Sequence, residues 1–146
     1  MLVKKNKNSL GVYTERIYKS GEVICVMKGK KVVPRTLEYH GSDFLDASIN
    51  PLQIGYGLYM DLSKPFRYFN HSCDPNAGVR GTSTLFALRR IKKGEEITFD
   101  YSTTIDESFS CQCGASNCRG AIGDFFVLPP RVQKYYLRKG ALPAFI

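Results

Sequence analysis

The sequence predicts one mainly β domain with many loops and one or two short helices. Two stretches, residues 11–33 and 84–101, carry most of this prediction, because β-branched and aromatic residues recur in them between glycine turns. The chain has 146 residues, of which 43% are hydrophobic and 12% aromatic. These values are typical of a single globular domain with one ordinary core.

The two strand-rich stretches share a local pattern. "RIYKSGEVI" at residues 16–24 and "RIKKGEEI" at residues 90–97 both predict a strand end, a basic glycine turn, an acidic residue and a new strand. There is no third copy, so the pattern indicates two similar strand–turn–strand units in one domain and not a repeat fold.

Three further elements follow from local signals. Residues 36–55 favour a short helix or an irregular loop that ends at Pro51, and "LYMD" at residues 58–61 favours a strand. "PPRVQKYYLRKG" at residues 129–140 is the strongest helix signal in the chain. Pro130 suits a first helical turn there, and the closing Lys-Gly pair suits a stop.

The net charge of +8 favours anionic surroundings such as nucleic acid, chromatin or ribosomes. Solvated turns explain short basic clusters as well as a binding face does. Three clusters hold much of the excess positive charge: Lys4, Lys5 and Lys7; Lys28, Lys30 and Lys31; and Arg89, Arg90, Lys92 and Lys93.

The sequence contains no apolar run of about 18 residues that would predict a transmembrane helix. Residues 1–11 lack the apolar core of a signal peptide, so we expect an intracellular protein.

The five cysteines indicate a metal site more than a disulfide framework, because their number is odd and no export signal is evident. "CQCGASNC" at residues 111–118 has the spacing C-x-C-x4-C, in which a glycine turn can aim three thiolates at one ion. A tetrahedral zinc site needs a fourth ligand, and the candidates are Cys25, Cys73, His40 and His71. Cys73 is favoured because it lies in a polar, turn-rich segment, whereas Cys25 lies in an apolar strand. The cysteine spacing alone does not distinguish a zinc site from an iron–sulfur cluster. Redox-inert zinc is preferred because no other cofactor signal is present. The alternative is that the three thiols of this segment bind no metal.

The remaining reactive side chains lie in "RYFNHSCDPN" at residues 67–76 and "GEEITFDY" at residues 94–101. A nucleophilic pair of Cys73 and His71 is disfavoured, because the two residues are adjacent in a turn and the metal site needs Cys73. Tyr101 ends a predicted strand, which for an isolated tyrosine favours a core side chain. The sequence contains no phosphate-binding glycine loop and no serine nucleophile elbow.

Together, four segments resemble the SET-domain protein-lysine methyltransferases, in the order in which that family has them. "NSLGVYT" at residues 8–14 resembles the N-terminal cofactor loop, and "RYFNHSCDPN" resembles the N-H-S-C-x-P-N signature. "GEEITFDY" resembles the segment that ends in the catalytic tyrosine, and "CQCGASNCRG" at residues 111–120 resembles the post-SET zinc segment. The resemblance spans residues 8–120, and the second and fourth segments are highly specific.

The resemblance implies the SET-type β-clip fold, with small curved sheets, few short helices and a knot-like threading near the C-terminus. It divides the chain into a SET domain at residues 1–108, a post-SET zinc-binding segment at residues 109–123 and a C-terminal extension with a short helix at residues 124–146. S-adenosylmethionine is expected on one face, and the substrate lysine is expected to enter a narrow channel from the other.

The resemblance also implies roles for individual residues. Tyr101 is expected to be catalytic and to lie where the methyl group and the lysine meet, with Phe99 and Tyr56 along the substrate channel. The expected ligands of one structural zinc ion are Cys73, Cys111, Cys113 and Cys118. The expected cofactor-binding residues are Ser9, Leu10, Gly11, Arg67, Asn70, His71 and Tyr101.

These features predict S-adenosylmethionine-dependent methylation of lysine on a histone tail or another protein. Family members with Phe at the position of Phe99 tend to add more than one methyl group, so di- or trimethylation is expected. Ser9 stands where the family usually has glycine, and Asn50 where it often has an aromatic residue that Phe44 or Tyr56 would replace. These departures support the alternative of a catalytically inactive SET-fold zinc module that binds a protein or chromatin partner.

Two further expectations concern partners. Residues 36–60 are expected to select the substrate, and a basic tail would need acidic contacts, for which the candidates are Asp43, Asp46, Asp61, Asp106 and Glu107. A basic zinc module for nucleic acid fits the charge and the cysteines but leaves "FDY" unexplained. The expected location is the nucleus if the source is a eukaryote and the cytoplasm otherwise.

Overall fold

The computed structural model describes residues 1–5, 9–33, 51–105 and 107–146. In this part of the chain, short strands form five small sheets, with three turns of 3-10 helix and one α-helix. The strands are β1 (Leu2–Lys5), β2 (Leu10–Tyr13), β3 (Val23–Val26), β4 (Gly29–Val32), β5 (Pro51–Gly55), β6 (Leu58–Leu62), β7 (Asn70–His71), β8 (Ala77–Arg80), β9 (Thr84–Ala87), β10 (Thr98–Phe99), β11 (Phe109–Ser110) and β12 (Ala121–Ile122). The 3-10 turns are Phe66–Tyr68, Tyr101–Thr103 and Phe125–Val127, and the helix α1 is Pro130–Lys139.

Two three-stranded antiparallel sheets form the largest part of the domain, one in the order β3-β9-β8 and one in the order β4-β6-β5. Three two-stranded pairs surround them: β1 with β2, β7 with β10, and β11 with β12. The mainly β prediction and the strand at residues 58–61 are confirmed. Pro51 begins β5, and the rest of the predicted helix or loop, residues 36–50, lies outside the described residues. None of the helices in the described ranges has the length and apolar character needed to span a bilayer.

The β3-β9-β8 sheet is covered on both faces, because successive residues of a strand point to opposite sides. Leu85 of β9 lies opposite Val79 of β8, and both side chains enter the main core. Phe86, the next residue, enters a second core beneath α1. The main core also takes side chains from the β4-β6-β5 sheet, such as Leu52 and Met60, so it joins both three-stranded sheets.

The two segments that share a sequence pattern fold into the same turn. Residues 19–22 and 92–95 each close with the fourth N–H donating to the first carbonyl at 3.1 Å. The third residue is a glycine with positive φ in both, 84° at Gly21 and 82° at Gly94, which this turn requires. In each turn a glutamate pairs with an arginine that precedes the turn by three residues: Arg16–Glu22 and Arg89–Glu95, both at 2.6 Å.

The two turn units also pair with each other. Tyr18 and Ile91 exchange two backbone hydrogen bonds of 3.0 Å in an antiparallel bridge. In the structure, Arg16 of the first turn unit therefore corresponds to Arg89 of the second. The sequence pattern matches Arg16 with Arg90 instead, which differs by one residue. The local pattern thus marks two elements that pair edge to edge through their backbones in the same domain.

The predicted C-terminal helix is confirmed as α1. Pro130 occupies its first turn, where a missing N–H costs nothing, and Gly140 ends it with a φ of 59° and an N–H that donates to the Leu137 carbonyl at 3.1 Å. The chain then lies against β8. A Cβ at Gly78 would come within 2.8 Å of the Ala141 Cβ, so only glycine permits this approach.

Candidate functional site

A parallel pair of two-residue strands brings the signature segment and the tyrosine segment together. Asn70 of β7 lies opposite Thr98 of β10. Asn76, which is 2% exposed, ties the pair: its side chain accepts from the Thr98 N–H at 3.0 Å and donates to the Glu96 carbonyl at 2.7 Å. Asn76 had no predicted role, although it closes the N-H-S-C-x-P-N signature.

The Asn70 amide joins β7 to the N-terminal loop. Its Nδ2 donates to Glu96 Oε1 at 2.7 Å and to the Leu10 carbonyl at 3.0 Å, and it lies 3.4 Å from Ser9 Oγ. A Cβ at Gly11 would overlap the Glu96 carboxylate, so a larger residue here would displace the group that accepts from the Asn70 amide. The structure therefore brings four predicted cofactor residues together, with Glu96 as an unpredicted member.

This corner fits a polar ligand. Ser9 and Leu10 are exposed and Asn70 is half-buried, so the corner faces solvent. Asn70 Oδ1 accepts no hydrogen bond from the described residues, and an amide oxygen can accept from an amino group of a ligand. The amino groups of S-adenosylmethionine are donors of this kind.

Tyr101 lies at the centre of an aromatic group. Its hydroxyl donates to the Phe69 carbonyl at 2.6 Å, and its ring centroid lies 5.0 Å from that of Phe99 and 5.4 Å from that of His71. Burial, and next the charge of Glu96, raises the pKa of Tyr101 above its ordinary value. The hydroxyl is therefore a neutral donor at physiological pH, and its direction is fixed.

His71 connects Tyr101 to the cysteine cluster. Its Nδ1 accepts from the Tyr101 N–H at 3.1 Å, so the proton of the neutral ring belongs on Nε2, which lies 3.3 Å from Cys73 Sγ. Burial lowers the pKa of His71 to about 4, although the charge of Asp100 acts in the opposite direction. The 3.5 Å contact between His71 Nδ1 and Asp100 is too long for a strong hydrogen bond, so we assign the neutral tautomer.

Asp100 is a buried carboxylate that three parts of the chain share. It is 1% exposed, and its Oδ1 accepts from Arg119 Nη2 at 2.8 Å and from the Ser102 N–H at 3.1 Å. Its Oδ2 accepts from the Tyr136 hydroxyl of α1 at 2.8 Å, and burial, followed by the Asp100 charge, raises the pKa of Tyr136. None of these partners was predicted; the signal was a carboxylate between Phe99 and Tyr101 and an arginine directly after the last cysteine.

Arg67 and Tyr56, the remaining predicted residues, lie at the edges of this region. Arg67 is half-buried in the 3-10 turn Phe66–Tyr68, just before Phe69. Tyr56 is 87% exposed in the turn between β5 and β6, with its ring 6.2 Å from that of Phe145. The position of so exposed a ring gives the channel role of Tyr56 no support, and that role stays a prediction. Phe99, in contrast, is 3% exposed and packs on Tyr101.

The cysteine segment folds back onto Cys73. Cys111 Sγ lies 3.8 Å from Cys73 Sγ and 3.7 Å from Cys118 Sγ, and the Cys73 N–H donates to Cys113 Sγ at 3.4 Å. Two of these thiols, Cys73 and Cys111, are buried. Cys25 lies in β3, opposite Leu85, as expected for a structural residue. His40 and Phe44 lie outside the described residues.

The sulfur geometry fits a tetrahedral zinc site. A Zn–S bond of about 2.3 Å places neighbouring sulfurs of a tetrahedron about 3.8 Å apart. The ligand atoms of His71, Cys73, Cys111 and Cys113 all lie within 4.8 Å of one another. On distance alone, either His71 or Cys118 is therefore a candidate for the fourth metal ligand. The His71 tautomer favours Cys118, because a protonated Nε2 donates to the Cys73 sulfur and cannot bind a metal.

The protonation of the thiols also suits a metal. Burial raises the pKa of Cys111 to about 12. Burial acts on Cys113 in the same direction, but the backbone N–H groups of Cys73 and Ala115 outweigh it and lower the pKa of Cys113 to about 7. Cys113 therefore ionises more readily than Cys73 and Cys111, and a bound cation would deprotonate those two.

Comparison with known proteins gives one family. The family model described as SET domain matches residues 9–102. The variant-silencing SET domain-containing protein of Plasmodium falciparum is 35% identical over 133 residues, which cover 79% of this chain and 5% of that protein. Human histone-lysine N-methyltransferase 2B is 31% identical over an alignment of length 150 that covers 81% of this chain and 5% of that protein. The chain thus spans a small part of the length of these curated relatives.

Solved structures show the same fold. A structure of KRYPTONITE in complex with mCHG DNA and SAH aligns over 81% of this chain and 27% of that one, with a TM-score of 0.59 and 23% identity. A structure reported for the product specificity of histone lysine methyltransferases aligns over 81% of this chain and 53% of that one, with a TM-score of 0.61 and 23% identity. At this identity the likeness concerns the fold.

The predicted zinc site can be tested by metal content. Replacing Cys73 with Ser removes one of the four thiolates, so zinc affinity should fall by more than about 100-fold, beyond the loss typical of an outer-shell change. Metal analysis after dialysis against a weak chelator measures the loss. Cys25→Ser, which changes a thiol outside the cluster, should keep one zinc per chain. Equal and tight zinc binding by both variants would exclude Cys73 as a ligand.

Proposed function

This chain belongs to the SET-domain family, and on that premise we propose that it methylates lysine side chains of a protein, with S-adenosylmethionine as the methyl donor. The observation that carries the proposal is the arrangement around Tyr101: a neutral hydroxyl of fixed direction beside a buried aromatic wall and the Asn70 corner. The histone-lysine methyltransferases among its relatives support the same class of activity.

S-adenosylmethionine, when bound, supplies a methyl group on a cationic sulfur that becomes a neutral thioether when the amine takes the methyl. The lysine amine has a usual pKa of about 10.4 and needs to lose a proton before it attacks. Burial in a channel disfavours the ammonium form and so lowers that pKa. None of the side chains of the Tyr101 group, which consists of Tyr101, Phe99 and His71, needs to act as a strong base.

The Tyr101 hydroxyl suits the task of orienting the amine. Because its proton is donated to the Phe69 carbonyl, its oxygen keeps lone pairs that accept an N–H of the incoming lysine. Phe99 excludes water beside it. Most of the rate enhancement would then come from alignment of the reacting groups.

We assign the cofactor to Ser9, Leu10, Gly11, Asn70 and His71, with Arg67 at the edge of the same pocket. Support comes from the contacts of Asn70 with the N-terminal loop. We assign the structural zinc to the post-SET segment, residues 109–123, between a SET domain at residues 1–108 and a C-terminal extension at residues 124–146.

The substrate is proposed to be a histone tail or another basic protein segment. Two candidates for acidic contacts, Asp61 in β6 and Glu107, are half-buried in the described chain. The other three, Asp43, Asp46 and Asp106, lie outside the described residues, as does most of the segment expected to select the substrate. The nuclear location, for a eukaryotic source, stays a prediction.

The second candidate is an inactive SET-fold zinc module that binds a protein or chromatin partner. Ser9, in place of the usual glycine, favours it, because its Oγ lies 3.4 Å from the Asn70 amide and adds a polar group to the cofactor corner. Asn50, the other departure, lies outside the described residues. A methyl-transfer assay decides between the two candidates.

Tyr101→Phe should lower methyl transfer from labelled S-adenosylmethionine to histones or cell extract by about 100-fold or more, because it removes the oxygen that orients the amine. Loss of one hydrogen bond costs about 1 kcal/mol, so the variant should stay folded. Tyr135→Phe, a hydroxyl deletion on α1, should leave the rate unchanged. Full activity of Tyr101→Phe would refute the assignment, and an inactive but folded wild type would favour the second candidate.

Phe99→Tyr should shift the product from di- or trimethyl-lysine toward monomethyl-lysine, because the added hydroxyl would occupy space beside Tyr101, where the two ring centroids are 5.0 Å apart. Mass spectrometry of a methylated substrate measures the ratio. Phe109→Tyr adds the same atom at a side chain that is 43% exposed and should not change it. An unchanged product ratio in Phe99→Tyr would exclude this role of Phe99.

A further inference from the structure

The outer face of α1 carries cations that the fold does not use. Arg131, Lys134 and Arg138 are exposed and, with Leu137, line an open groove of about 370 Å³. Within the described part of the chain none of the three forms an ion pair. Residues 125–146 contain four lysines and arginines and no acidic residue, so this end of the chain is purely basic.

The three cations form one straight stripe. At 3.6 residues per turn, positions 131, 134 and 138 fall within an arc of about 60°, and seven residues rise about 10.5 Å. The opposite face of α1 is occupied, because Val132, Tyr135 and Tyr136 pack into the second core. The stripe is therefore fixed in direction on a rigid element.

A second basic cluster adjoins the end of this helix. Lys139 Nζ donates to the Leu88 carbonyl at 3.1 Å, which places the C-terminal turn of α1 beside the residues that precede Arg89 and Arg90. Arg89 is paired with Glu95, whereas Arg90 is exposed and has no ion pair among the described residues. We define the α1 basic face as Arg131, Lys134 and Arg138, with Arg90 in the adjoining cluster at the end of the helix.

We propose that the α1 basic face binds the sugar-phosphate backbone of double-stranded DNA. A duplex presents one phosphate per about 3.4 Å of axis on each strand, so a stripe of about 10.5 Å matches about three phosphates with its three cations. This binding goes beyond methyl transfer and does not depend on it, since none of the three residues of the face belongs to the Tyr101 group or the cysteine cluster.

Other anionic partners fit the face less well. A membrane-surface helix needs an apolar face to insert, and that face of α1 is buried in the second core. Single-stranded nucleic acid needs a row of aromatic side chains on which bases stack. The rings of α1 do not offer one, because Tyr135 is half-buried on the core side and Tyr136 is buried; the exposed ring of Phe126 precedes the helix and is a single platform. An acidic protein segment has the right charge but lacks the regular spacing of a duplex backbone.

The test is a salt titration of duplex binding by fluorescence anisotropy, with a mixed-sequence DNA of about 25 base pairs and the whole folded chain. Each phosphate contact contributes about −0.9 to the slope of log affinity against log salt. Changing Arg131, Lys134 and Arg138 together to Gln should make the slope shallower by about 3 and weaken binding at low salt. Circular dichroism checks that the variant stays folded.

A matched variant separates a local face from net charge. Lys28, Lys30 and Lys31 are also exposed and belong to another basic cluster, so their joint change to Gln removes the same charge elsewhere. This variant should keep a slope close to that of the wild type. Equal losses in the two triple variants would overturn the proposal, and so would equal competition by polyglutamate, which would assign the face to an acidic protein segment.

Discussion

The buried ion pair between Asp100 and Arg119 is the interaction on which the candidate site depends. Asp100 lies between Phe99, the predicted channel residue, and Tyr101, the predicted catalytic residue, and its carboxylate is removed from water. Arg119 follows the last cysteine and reaches Asp100 at 2.8 Å, while Tyr136 of α1 takes the other carboxylate oxygen. Removing one partner of a buried pair of this kind costs about 3–5 kcal/mol. The pair therefore binds the cysteine segment and the C-terminal helix to the centre of the site.

The Asp100–Arg119 pair and the cysteine cluster both affect the surroundings of Tyr101. The thiol cluster and Tyr101 meet through His71, which accepts from the Tyr101 N–H and donates to the Cys73 sulfur. A zinc ion on the four thiolates would hold the segment that carries Arg119, and Arg119 compensates the charge beside Tyr101. On this proposal, zinc would support the cofactor pocket by fixing the positions of other residues, and it would take no part in the chemistry.

The cysteine cluster could be predicted from the residues themselves, whereas the cofactor, catalytic and channel roles followed from the family resemblance. Cysteine spacing indicated a metal site that needed a fourth ligand, and the turn-rich context of Cys73 selected it, because ligand geometry leaves a local trace in the sequence. The partners of Asp100 could not be predicted, since Arg119 and Tyr136 are 19 and 36 residues away in the chain. The local signals, a carboxylate between two aromatic residues and an arginine after the last cysteine, do not identify each other as partners. The channel role of Tyr56, which followed from the family resemblance, stays a prediction: the turn between β5 and β6 directs its ring to solvent.

The central claim is that the zinc segment supports the cofactor pocket, and calorimetric titration of S-adenosylmethionine into zinc-loaded and zinc-stripped protein tests it most directly. Circular dichroism would show that the sheets persist without the metal, since the main core is built from side chains outside the cysteine segment. We predict that the zinc-stripped protein binds S-adenosylmethionine at least about tenfold more weakly. A tenfold change is the lower end of the loss in affinity or activity that is typical when residues supporting a bound group are removed. Equal affinity of the two folded forms would contradict the account.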